Sequence, residues 1–162
     1  MAVVDYFLEI DGIKGESEDA KHKDHIQLES WSWGETNHGT SGHGTGAGAG
    51  KVQMQDFHFV MKVNTASPFL FLACATGEHI KKAILTCRKA GKEQQEYLKW
   101  TFSDILVSSY QTGGSAHSEV VPADQISINF SQIEVEYKPQ KADGTLGAAI
   151  KKGYNIKKGQ PT

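Results

Sequence analysis

Cysteine is scarce in this chain, basic charge is not in excess, and no long apolar run occurs. Its two cysteines, Cys74 and Cys87, stand thirteen residues apart among apolar neighbours. That spacing is neither a CxxC pair nor a disulfide framework, so both read as reduced core residues. Seventeen Lys and Arg against nineteen Asp and Glu leave a net charge of −2, which gives no electrostatic case for a nucleic-acid partner. The longest apolar stretch, Phe69 to Ala75, is seven residues, whereas a membrane-spanning helix needs about 20. No membrane insertion is expected. The opening MAVVDYFLEIDG holds three acids and no Lys or Arg. It therefore lacks the basic start and the run of about 7 to 15 apolar residues of a secretory signal peptide.

The motifs of catalysis are missing too. There is no HExxH, and GxSxG has only a weak echo in Gly113, Gly114 and Ser115. Glu134 and Glu136 share one face of a strand candidate, where an exposed acidic face is the ordinary reading and an acid/base pair the rare one. The histidine pairs His22 with His25 and His38 with His43 offer no third ligand on a rigid support, so no metal site is expected. No enzyme activity and no cofactor are expected.

Glycine, by contrast, is concentrated. The segment NHGTSGHGTGAGAG, residues 37 to 50, holds six glycines in fourteen positions. It fails the P-loop pattern, because Lys51 is followed by Val52, and it fails the dinucleotide pattern, because Ala47 stands where the third glycine belongs. Two readings remain: a loose hairpin tip, or an arm that orders against another subunit.

A chain of 162 residues with 38% hydrophobic and 22% charged residues suits one domain, here residues 1–162. At this length about 70% of the unfolded surface can be buried. The dominant period is two, as in Val4, Tyr6, Leu8 and Ile10. Further strands are predicted at Ile26–Trp33, Val52–Val63, Ala83–Lys89, Tyr97–Tyr110 and Ile126–Tyr137. Three of these change phase part-way: Ile26 and Leu28 give way to Trp31 and Trp33, Val52 and Met54 to Phe57 and Phe59, and Ile126 and Ile128 to Ile133 and Val135. Such flips predict long strands shared between two crossing sheets, and hence a small closed or nearly closed β-barrel. One short helix is predicted at SPFLFLACAT, with Ser67 as cap, Pro68 in the first turn and Gly77 at the end. It is apolar all round, so protein must cover most of it. Residues 138–162 carry six lysines and one acid, net +5, against −7 for the rest. This basic tail binds either its own subunit or a neighbouring one.

The segments MAVVDYFLEIDGIKGES, His22 to Gly34 with its SWSWG, EYLKWTFSDILVSSYQTGG and DQISINFSQIEVEYKPQKADG resemble the haemolysin-coregulated protein family, Hcp, of type VI secretion systems. The resemblance covers essentially the whole chain. It implies a mostly β fold, a barrel of two antiparallel sheets with one flanking helix, assembled as a homohexameric ring. It further implies rings stacked into a tube, capped by a VgrG-type spike, driven by a contractile sheath, and holding small effector proteins. Assembly would be cytoplasmic and export would need no signal peptide. Two rival readings are a phage-type tail tube protein and a monomeric ligand-binding barrel. In SWSW, Trp31 and Trp33 share one face, so Ser30 and Ser32 point the other way. The resemblance puts this strand at the inner wall, which makes Ser30 and Ser32 the expected lumen and effector-facing residues. Gly39, Gly42, His43, Gly44, Gly46 and Gly48 are the expected ring-stacking loop.

Overall fold

The computed structural model describes residues 4–38, 51–89 and 94–162. Twelve strands and one helix run in the order β1 (Val4–Ile10), β2 (Ile26–Leu28), β3 (Ser30–Ser32), β4 (Glu35–Asn37), β5 (Val52–Met54), β6 (Phe57–Lys62) and α1 (Ser67–Thr76). Then follow β7 (Ile80–Lys89), β8 (Gln95–Gly113), β9 (Ala123–Asn129), β10 (Gln132–Tyr137), β11 (Ile150–Asn155) and β12 (Gln160–Pro161).

Each predicted phase flip marks the point where the chain leaves one ladder and joins another. Ile26 and Leu28 belong to β2, which pairs with β1, while Trp31 belongs to β3, which pairs with β6. The flips at Gln55–Asp56 and Phe130–Ser131 likewise separate β5 from β6 and β9 from β10. The long strands predicted there are therefore pairs of shorter ones. One sheet runs β12–β11–β10–β8–β7–β1–β2, and the second runs β3–β6–β9–β8. All pairings are antiparallel.

The two sheets form the nearly closed barrel that the phase flips predict. Between β2 and β3, which do not pair with each other, the chain itself turns the corner at Glu29, whose N–H donates to the Val60 carbonyl at 2.9 Å. At the opposite corner the nineteen-residue β8 belongs to both sheets. It pairs with β10 up to Ser103 and with β9 from Leu106 onward. Between them Asp104 takes a φ of 61°, a left-handed conformation that turns the strand. Lys157 Nζ holds the Asp104 carboxylate at 2.7 Å, and His79 Nε2 bonds its other oxygen. The hydrogen bond from Lys157, and after it the one with His79, keeps the Asp104 carboxyl below the usual carboxylate range.

The space between the sheets is filled. Phe57, Phe59, Met61, Leu8, Leu85, Phe102 and Ile126 are fully buried, with Phe57 and Phe102 at 4.6 Å and Phe102 and Phe130 at 5.0 Å between ring centroids. Each such side chain contributes about 1.5 to 3 kcal/mol of transfer free energy. Cys87 is in this core, and burial pushes its thiol up to about 12; Cys74, on α1, is only half-buried.

Helix α1 ends as predicted, with Gly77 left-handed at φ 66° and its N–H on the Ala73 carbonyl. Its start differs: Ala66 is the cap residue, and Ser67 lies inside the helix. Asn64 Oδ1 accepts the Ala66 N–H at 2.8 Å, which frees Ser67 Oγ to donate to the buried Asp124 of β9 at 2.6 Å. A hydroxyl expected to cap thus fastens helix to sheet. The basic tail is built into its own subunit: β11 pairs with β10, and Lys151 meets Glu134 at 3.5 Å.

Candidate assembly surface

Two faces of the molecule differ from an ordinary solvated surface. The first is the outer side of β3, β6, β9 and the second half of β8. Phe57, Phe59, Met61, Ile126 and Ile128 point inward, so the alternate residues point out. Residues directly opposite in an antiparallel ladder share a face. Ser32 stands opposite His58, His58 opposite Ser127, and Ser127 opposite Ser109. The neighbouring row is Ser30, Val60, Gln125 and Gln111. His58 Nδ1 lies 3.1 Å from Ser127 Oγ. Seven of these eight residues are polar, all are small or medium in size, and none is a carboxylate, Lys or Arg. Charge appears at the ends of the face, where Lys62 meets Glu29 at 3.9 Å and Asp56 accepts bonds from Ser108 and Asn129.

Ser30 and Ser32 are exposed on this face, and Trp31 between them is half-buried against the core, 6.1 Å from Tyr6 in an edge-on contact. Trp33 lies just past β3, packs 5.4 Å from Trp100, and donates its Nε1–H to the Gln55 carbonyl at 2.9 Å. The alternation expected from SWSW is present. The residues that join the serines across the sheet, His58, Ser109 and Ser127, were not singled out from the sequence; HFVMK and SINF carry the signal, since each alternates one polar or small residue with one core residue.

The second face is α1. Leu70 and Ala73 are buried, but Phe69, Phe71 and Leu72 are 59%, 58% and 54% exposed. Phe71 touches Tyr110 of β8, with 6.2 Å between ring centroids. A third feature is the ribbon of β4 and β5, in which Asn37 pairs with Val52 and so brings the two ends of the glycine segment together. The candidates Gly39, Gly42, His43, Gly44, Gly46 and Gly48 themselves lie outside the described residues.

His22 and His25 do come together, Nδ1 to Nδ1 at 3.1 Å. Among the described residues no group of three or more His, Cys, Asp or Glu converges on a metal position. No helix among them is long and apolar enough to cross a membrane.

The fold and these faces define a two-sheet β protein whose distinctive surfaces are an apolar helix and a small, polar sheet face. Residues 7–137 match the family model described as "Type VI secretion system effector, Hcp". Protein hcp1 of Pseudomonas aeruginosa is 44% identical over 156 residues, 95% of this chain and 96% of that protein. The crystal structure of Hcp1 from Salmonella typhimurium superposes with a TM-score of 0.82 at 37% identity, covering 99% of this chain and 100% of the other. A structure described as a type six secretion system protein reaches a TM-score of 0.91 at 27% identity, covering 98% and 99%. This chain belongs to the Hcp family of type VI secretion tube proteins.

Proposed function

We propose that six copies of this chain close into a ring, that rings stack into the inner tube of a type VI secretion system, and that small effector proteins ride in the lumen against the face of Ser30 and Ser32. The observation that carries this reading is the contrast between a polar, small-residue sheet face and an apolar helix on one subunit. A subunit with unlike faces associates head to tail, and such contacts close into rings when the rotation fits. The filled space between the sheets favours assembly over ligand binding inside a barrel, since Phe57, Phe59 and Phe102 occupy the centre.

In this reading the glycine segment beyond β4 and β5 joins ring to ring. A VgrG-type spike caps the tube, a contractile sheath drives it, and the protein leaves the cytoplasm through that machine. The purified protein is expected to scatter light as a particle of about six times 17.7 kDa and to show rings by negative-stain imaging. Removing Gly39 to Ala49 is expected to keep the rings and abolish stacking and export. A monomer at micromolar concentration would overturn the ring; unchanged export by the shortened chain would overturn the role of the loop.

A further inference from the structure

Between β1 and β2 the chain from Lys14 to His25 folds back on itself as a strap. Gly15 N–H donates to the Asp24 carbonyl at 2.8 Å, Asp24 N–H to the Ser17 carbonyl at 2.9 Å, and Ser17 N–H to the His25 carbonyl at 3.1 Å. The closure is tight, since a Cβ on Gly15 would sit 2.5 Å from the His25 carbonyl oxygen. Two anchors fasten the strap to the sheet. At one, Asp19 meets Arg88 Nη2 of β7 at 2.8 Å, and Asp5 of β1 meets the same nitrogen at 3.2 Å. At the other, His22 is only 6% exposed, with its ring stacked on Phe7 at 4.5 Å and an interplanar angle of 7°. Its Nε2 lies 2.7 Å from Glu96 Oε1 of β8, and its Nδ1 faces His25 Nδ1 at 3.1 Å. His25 Nε2 in turn faces Glu9 of β1 at 3.7 Å.

Counting protons on this chain of groups gives a result that neither histidine has alone. A carboxylate only accepts, so His22 Nε2 carries its proton toward Glu96. The Nδ1 to Nδ1 contact is a hydrogen bond only when one of the two nitrogens holds a proton and the other a lone pair. The four ring nitrogens can therefore hold up to three protons, one positive charge on the pair, with every contact intact. A fourth proton places two N–H groups head to head. We propose that the strap is a proton-operated latch: its His22–His25 end stays closed while the pair carries at most one charge and opens when the second charge arrives, with Asp19–Arg88 left as the hinge.

The surroundings agree. Burial is the largest cause holding the His25 ring below the ordinary imidazole range; the His22 charge acts the same way, and Glu9, Asp24 and Asp19 oppose it. A ring held down in the closed form binds fewer protons there than in the open form. The closed strap is thus fully favoured above the ordinary imidazole range, about 6.5, and loses that advantage as pH falls below it. The hinge does not share this window. The hydrogen bond from Arg88 is the chief cause lowering the Asp19 carboxyl to about 2, so that pair stays ionised. Arg88 remains charged between Asp5 and Asp19. Opening would alter both sides of the strap, since Glu16, Ser17 and Glu18 line one surface groove and Lys14, Lys23, Asp24 and His25 line another.

Amide hydrogen exchange on the whole protein tests this, corrected for the chemistry of free amides. Between about pH 7.5 and about pH 5.5 the Ser17 and Asp24 amides are expected to lose protection about tenfold while the β9 amides keep theirs. In His25→Gln, which cannot take up the proton, strap protection is expected to be flat over that range. A drop that survives in His25→Gln, or no drop in the native chain, would overturn the latch. Should His25→Gln leave the strap open at every pH, NMR titration of the two native rings decides: charging of both rings with the strap amides still protected rejects the proposal, and loss of protection that tracks the second charge supports it.

Discussion

Helix α1 and the β3–β6–β9 face are both exposed on the isolated subunit, yet they are made of opposite materials. The helix shows Phe69, Phe71 and Leu72 to solvent. The sheet face shows Ser30, Ser32, His58, Ser127 and Gln125. Large contiguous apolar surface exposed to water marks a protein contact, whereas a small, wet and uncharged face has little with which to hold anything permanently. The two regions therefore suit different lifetimes of contact: the helix one that persists, the sheet face one that forms and releases. A conduit needs both, a wall that stays together and a lining that does not trap what passes.

The sharpest way to break this contrast is to charge the helix. In Phe69→Glu with Leu72→Glu the subunit fold is expected to survive within about 0.5 kcal/mol, because both side chains are already exposed. Two carboxylates buried in a subunit contact would each cost several kcal/mol, so light scattering is expected to show the subunit in place of the ring. An intact ring from this variant would mean that α1 is not part of the contact.

A smaller effect is expected where the helix is joined to the sheet face. Asp124 is fully buried; Ser67 Oγ donates to its Oδ2 at 2.6 Å, and its Oδ1 has no partner among the described residues. Ser67→Ala strands that carboxylate, at a cost of about 1 to 3 kcal/mol measured by denaturant unfolding. Asp124→Asn on the Ser67→Ala background, which removes the charge, is expected to recover part of the loss. A Ser67→Ala protein as stable as the native one would show that the hydroxyl is not what fastens the helix.

Much of this arrangement could be read from residue order, and what could not has physical reasons. Trp31 and Ser32 alternate by the pleat alone, so their faces follow directly. The flips at Glu29, Gln55–Asp56 and Phe130–Ser131 are legible as changes of phase, but phase does not say whether a corner is made by a ladder or by the chain, and at Glu29 it is the chain that makes it. The same change of phase in β8, Phe102 followed by Ile105 and Val107, carries no break in the strand, because Asp104 absorbs the step by its left-handed conformation. Strands β11 and β12 have no clear alternation; β11 exists through pairing with β10, and β12 through pairing with β11. His22 stands among the charged residues Lys21, Lys23 and Asp24. Its burial depends on Phe7 and on Glu96, 74 positions away, which no local pattern reports.

The smallest expected change in stability, and the most informative about the sheet face, is Ser32→Gln. Ser32 is exposed at the edge of the second sheet and its neighbour in the ladder is His58. A longer polar side chain there meets water and not the core, so the unfolding free energy is expected to stay within about 0.5 kcal/mol and the ring mass to be unchanged. In a closed ring the substitution is repeated by symmetry around one belt of the lumen. Bulk that is negligible on one subunit then narrows the whole passage and covers the serines that would touch cargo. A pull-down of a cognate effector with native and Ser32→Gln rings, each first checked for mass, is expected to show cargo lost from the variant. Equal retention by intact variant rings would place the cargo elsewhere, and the contrast between the lasting face and the passing one would then have to rest on the helix alone.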